Sequence, residues 1–416
     1  MNDLLYLTHR IPYPPNKGDK IRSFNILKHL SQHFRVHLGS FVDDPGDWRY
    51  RDDLEPYCES LFLRPLHPRR ARLASLTGLF TGEPLTVPYY RDRRMARWVR
   101  EQLGNGVQHA LVFSSAMAQY LPRNRGPQLH TVVDFVDVDS DKWRQYALGH
   151  RFPMNGVYRR EARTLLDFER RIAAQVNASV FVSEQEALLF RELAPASAAR
   201  IHAIDNGVDT DYFSPEREYP DPYPAGTRNL VFTGAMDYWA NVDAVSFFAD
   251  EVFPAIRREM PEARFVIVGA RPAPAVMRLA EKPGVTVTGA VRDVRPYLAH
   301  AHAAVAPLRI ARGVQNKVLE AMAMGRPVVA TPQALDGLRA CDGMDWLVAE
   351  GAAELAALSL RVLRMPDTAL LGAHARGCVS RHYSWAEHMD RLIQLLEARQ
   401  RVRADGISTL SMAEQP

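Results

Sequence analysis

Short apolar runs of strand length alternate with longer amphipathic stretches along almost the whole chain. A continuous apolar run suits a strand buried on both faces, whereas an apolar residue every third or fourth position suits a helix with one buried stripe. In the first half the pattern predicts strands at 3–8, 35–41, 108–113, 129–135, 178–182 and 200–204, with helices at 20–33, 89–103, 155–175 and 184–193. From 206 to 228 the chain becomes rich in Asp, Asn, Gly and Pro, including Pro215, Pro220, Pro222 and Pro224. Neither a helix nor a central strand runs through such a stretch. A second alternating series follows, with strands predicted near 229–233, 264–268, 285–288, 303–306, 327–330 and 346–349, and helices near 242–258, 314–324 and 352–364. Two more helical stretches, 368–380 and 385–400, precede a polar end.

The expected class is therefore α/β, with two doubly wound domains: residues 1–205 and 229–380, a linker at 206–228, a helix at 381–403 packing back on the first domain, and a tail at 404–416. Sheets of this kind bind ligands at their carboxyl ends, so a cleft between the domains is the expected site.

Composition narrows the class. The chain has 416 residues, 47% of them hydrophobic and 24% charged, with a net charge of +4. Disordered, collagenous and small disulfide-stapled classes are excluded. Cys58, Cys341 and Cys378 lie far apart in no metal-type spacing, which fits a reducing cytoplasm. The first residues read as a strand rather than an export signal, and no run of about 18 apolar residues is present. Any membrane contact is then peripheral.

Charge is unevenly placed. Residues 64–100 hold nine arginines against Glu83 and Asp92, and the helix at 89–103 puts Met95, Trp98, Val99 and Leu103 on one side. This pattern reads either as a solvated arginine face or as a surface for anionic lipid at the cytoplasmic membrane. Nucleic acid is not expected as a partner, because the rest of the chain is near neutral and contains no recognition module.

The segment from Pro307 to Val329 carries the most chemistry, reading as strand end, glycine turn, helix, glycine stop and strand. A helix start offers free N–H groups and a positive dipole end, and Gly313 would let a phosphate approach the backbone. Val314 and Asn316 belong to the same turn. Arg312 and Lys317 add positive charge, and Glu320 sits among Val, Leu, Ala and Met, where an unpaired carboxylate is costly. A ribose diol would satisfy it. The alternative is a plain Lys317–Glu320 surface pair.

This segment resembles the donor-site motif of the retaining GT-B glycosyltransferases, in particular glycosyltransferase family 4. Ile204-Asp205-Asn206-Gly207-Val208-Asp209 with Phe213-Ser214-Pro215, and Val182-Ser183-Glu184 before it, resemble the family's interdomain signature. Phe232-Thr233-Gly234-Ala235-Met236 with Asn241 and Asp243, and Phe265-Val266-Ile267-Val268-Gly269, resemble its second-domain opening. Val287-Thr288-Gly289-Ala290-Val291-Arg292-Asp293 is similar to the loop whose backbone holds the nucleobase. The stretch from Val133 to Trp143 resembles the branch associated with bacterial exosortase and exopolysaccharide loci. The resemblance implies a GT-B fold, a nucleotide-sugar donor held near Gly18, Gly234, Val291, Arg292, Gly313, Val314, Asn316, Lys317 and Glu320, and no cofactor or metal.

Two departures from that pattern stand out. The family's first glutamate, eight positions before Glu320, is Arg312 here, and its diphosphate-binding Arg and Lys are replaced by Ala235 and approximately Ala240. The positive charge is expected to have moved to Arg312 and Lys317, with Arg309 as a further candidate.

In the first domain the loop Pro12–Arg22 joins strand to helix, either as a simple turn or, as the resemblance implies, closing over donor phosphate and acceptor. Lys17, Lys20 and Arg22 are then expected to meet an anionic acceptor group. Asp137, Asp139 and Asp141 do not form a calcium loop, since Lys142 stands where glycine is needed and Leu148 where glutamate is. Asp139 or Ser140 is expected to cap a helix at 141–147, or Asp137 or Asp134 to face the acceptor. Asp137, Arg312 and Lys317 are the expected catalytic residues. The resulting reading is a metal-independent retaining transferase acting on a lipid-linked or oligosaccharide acceptor in exopolysaccharide assembly. A GT-B epimerase and a non-enzymatic sugar-binding protein remain the alternatives.

Overall fold

A computed structural model describes residues 1–15, 18–122, 129–311, 314–336, 338 and 347–410, with side chains as far as 398. The chain forms two compact units, Met1–Asp205 with Ala386–Pro416, and Asn206–Trp385. Each is built on one parallel sheet, giving two Rossmann-like α/β folds.

The sheet of the first unit contains β1 (Asn2–Thr8), β2 (Phe34–Val42), β3 (Ser60–Pro65), β4 (His109–Phe113), β5 (His130–Val136), β6 (Ala178–Phe181) and β7 (Ile201–Ala203), in the order β3-β2-β1-β4-β5-β6-β7. The strand order reverses between β1 and β4. The central strands are buried on both faces, through apolar runs in β1 and β4 and a largely apolar β5 that also buries Asp134. Strand β3 was not visible in the pattern. It is an edge strand, half-buried throughout apart from the exposed Pro65, and so lacks that apolar run.

Helix Gly18–His33 covers β1 and carries two buried cations. The Arg22 guanidinium donates to Asp134 Oδ2 at 2.8 Å and to the Ile204 carbonyl at 2.9 Å, joining the helix to β5 and to the end of β7. Asp134 Oδ1 accepts from the Val136 amide at 3.0 Å. The last helix, Trp385–Leu410, buries Met389, Leu392, Ile393 and Leu396 at helical spacing. The carbonyls of Leu396 and Leu395 meet the imidazoles of His109 and His130 at 3.1 and 2.8 Å.

The second unit contains β8 (Arg228–Thr233), β9 (Ala263–Val268), β10 (Val285–Gly289), β11 (Ala303–Ala306), β12 (Val328–Ala330) and β13 (Leu347–Val348), in the order β10-β9-β8-β11-β12-β13. Here the order reverses between β8 and β11. The stretch 206–228, read from composition as a linker, packs as part of this unit. Val208 bridges to Ser384, and Tyr223 is buried with its hydroxyl donating to the Tyr297 carbonyl at 2.6 Å. The helix predicted near 242–258 is interrupted: Trp239–Phe247 and Phe253–Glu259 flank a π turn at Phe248–Val252. Pro254 has no N–H and would crowd the preceding turn, and the wider turn relieves both.

Candidate donor site

In a doubly wound sheet, loops leaving two neighbouring strands on opposite sides open a crevice at the reversal of strand order. In the second unit those loops follow β8 and β11. Gly234, directly after β8, has φ +157°, and its amide donates to the Val268 carbonyl at 3.1 Å. A Cβ there would stand 2.8 Å from Asn241 Nδ2. Gly269 follows β9 and touches the Gly234 carbonyl so closely that a Cβ would lie 1.7 Å from its oxygen. Only glycines allow this approach of two loops.

After β11 the chain enters helix Asn316–Ala323, with Gln315 at its N-cap and no side chain capping it. Val318, Leu319, Ala321, Met322 and Ala323 are buried, which fixes the helix and directs Lys317 and Glu320 to the other side. The Lys317 ammonium donates to Asn241 Oδ1 at 3.0 Å and to Gln315 Oε1 at 3.3 Å, and lies 5.3 Å from the centre of the Phe232 ring. Burial lowers its pKa to about 8, against the pull of Glu320. Glu320 is half-buried, and its carboxylate makes no hydrogen bond or ion pair among the described residues. Burial raises it to about 7, against the pull of Lys317. The result is an ammonium and a hydrogen-bond-seeking carboxylate beside open helix N–H groups, an arrangement that can take a phosphate and a diol.

Several expected residues lie nearby. Val314 is buried and packs into the core of the unit, and the Asn316 side-chain carbonyl is 3.5 Å from Asn206 Nδ2. Beyond β10, Val291 packs against the same core while Arg292 is exposed. Arg295 was not anticipated. Its guanidinium is held by Asp293 at 2.7 Å and lies 3.8 Å from the centre of the Tyr212 ring, whose phenol is raised by burial and by the charges of Asp293 and Glu320. Nothing in the local pattern marks this stacking, because Tyr212 and Arg295 are far apart in sequence. Arg309 does not join the group: Asp243 holds its guanidinium at the surface. Arg312, Gly313 and Lys17 lie outside the described residues.

The first-unit expectations change more. Gly18 opens its helix, with open space where a Cβ would be. Lys20 and Arg22 are not available to an acceptor: Lys20 is buried against Asp47 at 2.6 Å, and Arg22 against Asp134. Asp134 is likewise fully buried and does not face a ligand. The three aspartates after β5 diverge. The Lys142 ammonium sits between Asp137 at 2.6 Å and Asp139 at 3.2 Å, while Asp141 accepts from Arg144 at 2.6 Å and Gln145 at 3.1 Å. Neither Asp139 nor Ser140 caps the helix, which spans Asp139–Leu148 with Val138 at its N-cap. Among the described residues no group of three or more His, Cys, Asp or Glu is placed to hold a metal.

The reversal of strand order in the first unit, between β1 and β4, holds a cluster the sequence did not single out. His9 stacks on Phe113 at 5.6 Å with Nε2 3.4 Å from Asp19, and Arg10 bridges Asp19 at 2.7 Å and Asp43 at 3.0 Å. His9 and Arg10 hold the Asp19 carboxyl well below the usual carboxylate range. His130 and His302, by contrast, are structural, bonded to the Leu395 carbonyl and the Asn229 amide. Of the cysteines, Cys58 is free and Cys378 is disulfide-bonded.

Comparison with known proteins agrees with this architecture. Among solved structures, sucrose-phosphate synthase from Thermosynechococcus elongatus superposes with a TM-score of 0.69 at 18% identity, covering 97% of this chain and 100% of its own. HepE from Anabaena, in complex with UDP and glucose, gives 0.63 at 15% identity over 96% and 100%. WaaG, a glycosyltransferase involved in lipopolysaccharide biosynthesis, gives 0.61 at 15% identity over 94% and 99%. No curated protein sequence matches. The family model described as Glycosyl transferases group 1 matches residues 227–365, which include β8 to β13 and both Lys317 and Glu320. The chain thus has the GT-B fold, and the stretch of its second unit from 227 to 365 is similar to the family described as Glycosyl transferases group 1.

Proposed function

We propose that this protein is a retaining glycosyltransferase that takes a sugar from a nucleotide-sugar donor and transfers it to a lipid-linked or oligosaccharide acceptor in exopolysaccharide assembly, within the exosortase-associated branch of glycosyltransferase family 4. The observation that carries the reading is the placement of the Lys317 ammonium one turn from the Glu320 carboxylate, which has no hydrogen bond among the described residues, at a helix start beside Gly234. HepE, a protein of the same fold, is described in complex with UDP and glucose, which supports a nucleotide here.

In this reading Glu320 accepts two hydrogen bonds from the ribose diol. The Lys317 ammonium and the free N–H groups of the helix meet the diphosphate, with Arg312 as a second cation of the same segment. As the sugar–phosphate bond breaks, negative charge grows on the leaving diphosphate, and these fixed groups stabilise it without reorganising. The acceptor hydroxyl attacks on the face the phosphate leaves, and the charge is met by the protein without a metal ion. Asp137 and the His9–Asp19 cluster are the candidates for holding the acceptor.

Calorimetric titration with UDP, GDP, ADP and dTDP tests the reading. One nucleoside diphosphate is expected to bind and to raise the unfolding midpoint by mass action. Binding of none of them overturns the donor site and favours a non-enzymatic sugar-binding protein.

A further inference from the structure

The segment Pro68–Phe80 is folded with its large apolar side chains outward. Helix Pro68–Ser75 continues through a turn at Leu76–Thr77 into Gly78–Thr81. What it turns inward is small: Ala71, Ser75 and Gly78 are buried, and a Cβ on Gly78 would meet the Glu83 carbonyl oxygen at 2.9 Å. What it turns outward is large. Leu73 is 70% exposed, Leu76 47%, Leu79 42% and Phe80 91%. Leu73, Leu76 and Phe80 recur at i, i+3 and i+7 and so form one stripe, which Arg69 extends and Arg72 flanks. A helix packed only against its own protein in water shows the opposite polarity.

This is an anchored element and not a frayed loop. Arg160 donates to the carbonyls of Gly78 and Glu83, and the Glu161 carboxylate accepts from the Leu85 amide at 2.6 Å, the Thr86 amide at 3.0 Å and the Thr86 hydroxyl at 2.8 Å. The more arginine-rich helix Arg93–Gly104, where the sequence located the amphipathic face with Trp98, has no apolar side to offer. Met95 and Val99 are fully buried, and Trp98 stacks on Phe62 at 5.2 Å and packs against Gly39.

Charge indicates what covers the exposed stripe. No acidic residue occurs from Leu66 to Gly82. Arg69, Arg70 and Arg72 are exposed and make no ion pair among the described residues, whereas the flanking Arg64 and Arg91 are paired with Asp92 and Glu83. The partner must offer anions at the level of the guanidinium groups and an apolar interior where the leucines and Phe80 point. An anionic lipid surface has that layering, with headgroup phosphates above acyl chains. We infer that Leu73, Leu76, Leu79 and Phe80, flanked by Arg69, Arg70 and Arg72, dock the first unit on an anionic bilayer surface. The inference is independent of the donor site, since it concerns residues that take no part in it.

The test is co-sedimentation of the full chain with vesicles of phosphatidylcholine alone and of phosphatidylcholine with about one third phosphatidylglycerol. The chain is expected to sediment with the anionic vesicles, and less as salt rises. The double variant Leu73→Ser/Phe80→Ser should reduce the partition coefficient by about tenfold or more, since it removes the inserted apolar surface. The triple variant Arg69→Glu/Arg70→Glu/Arg72→Glu should reduce it similarly, while Arg93→Glu/Arg94→Glu/Arg97→Glu should have a smaller effect. These side chains point outward, and an unchanged unfolding midpoint verifies that the variants fold. Absence of sedimentation, or binding indifferent to the Leu73/Phe80 change, overturns the inference. So does a dimer seen by light scattering that this double variant dissolves, which would make the stripe a contact between copies of the chain.

Discussion

Lys317 and Glu320 lie one turn apart on helix Asn316–Ala323, and burial draws both toward their neutral forms, Lys317 down to about 8 and Glu320 up to about 7. The sign of the effect on stability follows from linkage. Glu320 ionises near 4.5 in the unfolded chain, so its burden on folding grows as pH rises from there to about 7. Lys317 is protonated below 10.5 when unfolded, so its burden grows as pH falls from there to about 8. Both are present between about 7 and 8. Glu320→Gln is therefore expected to raise the unfolding midpoint in that window without ligand, with the gain vanishing at acid pH. A midpoint lowered across the whole range would contradict this.

The same two groups should control nucleotide affinity. Losing one charge-assisted hydrogen bond costs about 1.5–3 kcal/mol, so Glu320→Ala and Lys317→Ala should each weaken binding by that amount in calorimetry. Affinity of the native protein should fall below about pH 7 as Glu320 protonates and above about pH 8 as Lys317 loses its proton. Glu320→Gln should remove the acid limb alone.

Gly269→Ala places a methyl where the Gly234 carbonyl oxygen stands, at 1.7 Å. One of the two loops must move, at a cost of about 1–3 kcal/mol or more. The expected result, read by urea unfolding and by nucleotide titration, is lower stability together with weaker binding.

Asp134→Ala should be among the most damaging changes in the first unit. It removes the carboxylate that meets the Arg22 guanidinium at 2.8 Å, on a side chain only 1% exposed. Removing one partner of a buried ion pair costs about 3–5 kcal/mol. The double change Arg22→Met/Asp134→Leu should recover much of the loss, and equal instability in single and double variants would show that packing, not charge, is at stake.

Transferase activity is expected to survive EDTA. The Lys142 ammonium occupies the place between Asp137 and Asp139 where a cation would sit, and the Lys317 ammonium lies at the donor site. Loss of activity on chelation, restored by manganese or magnesium, would return the aspartates to a metal role.

By itself the sequence determined the alternation of strands and helices in both halves, because buried parallel strands must be continuously apolar and their covering helices amphipathic. Strand β3 escaped because an edge strand is under no such demand. Local pattern also marked Gly234 and the Lys317–Glu320 turn, since backbone freedom and a charged face on an apolar helix are properties of neighbouring residues. Tertiary structure alone decided which charges are spent and which are free. Lys20, Arg22 and Arg309 look as available in sequence as Lys317, yet their partners Asp47, Asp134 and Asp243 come from 27, 112 and 66 positions away. The same holds for the apolar faces: Trp98 is taken up by Phe62 across the sheet edge, while Leu73 and Phe80 are left outward because only small residues fit beneath them. Pairing and burial at such separations are set by how the chain returns on itself, and no window of local sequence contains that information.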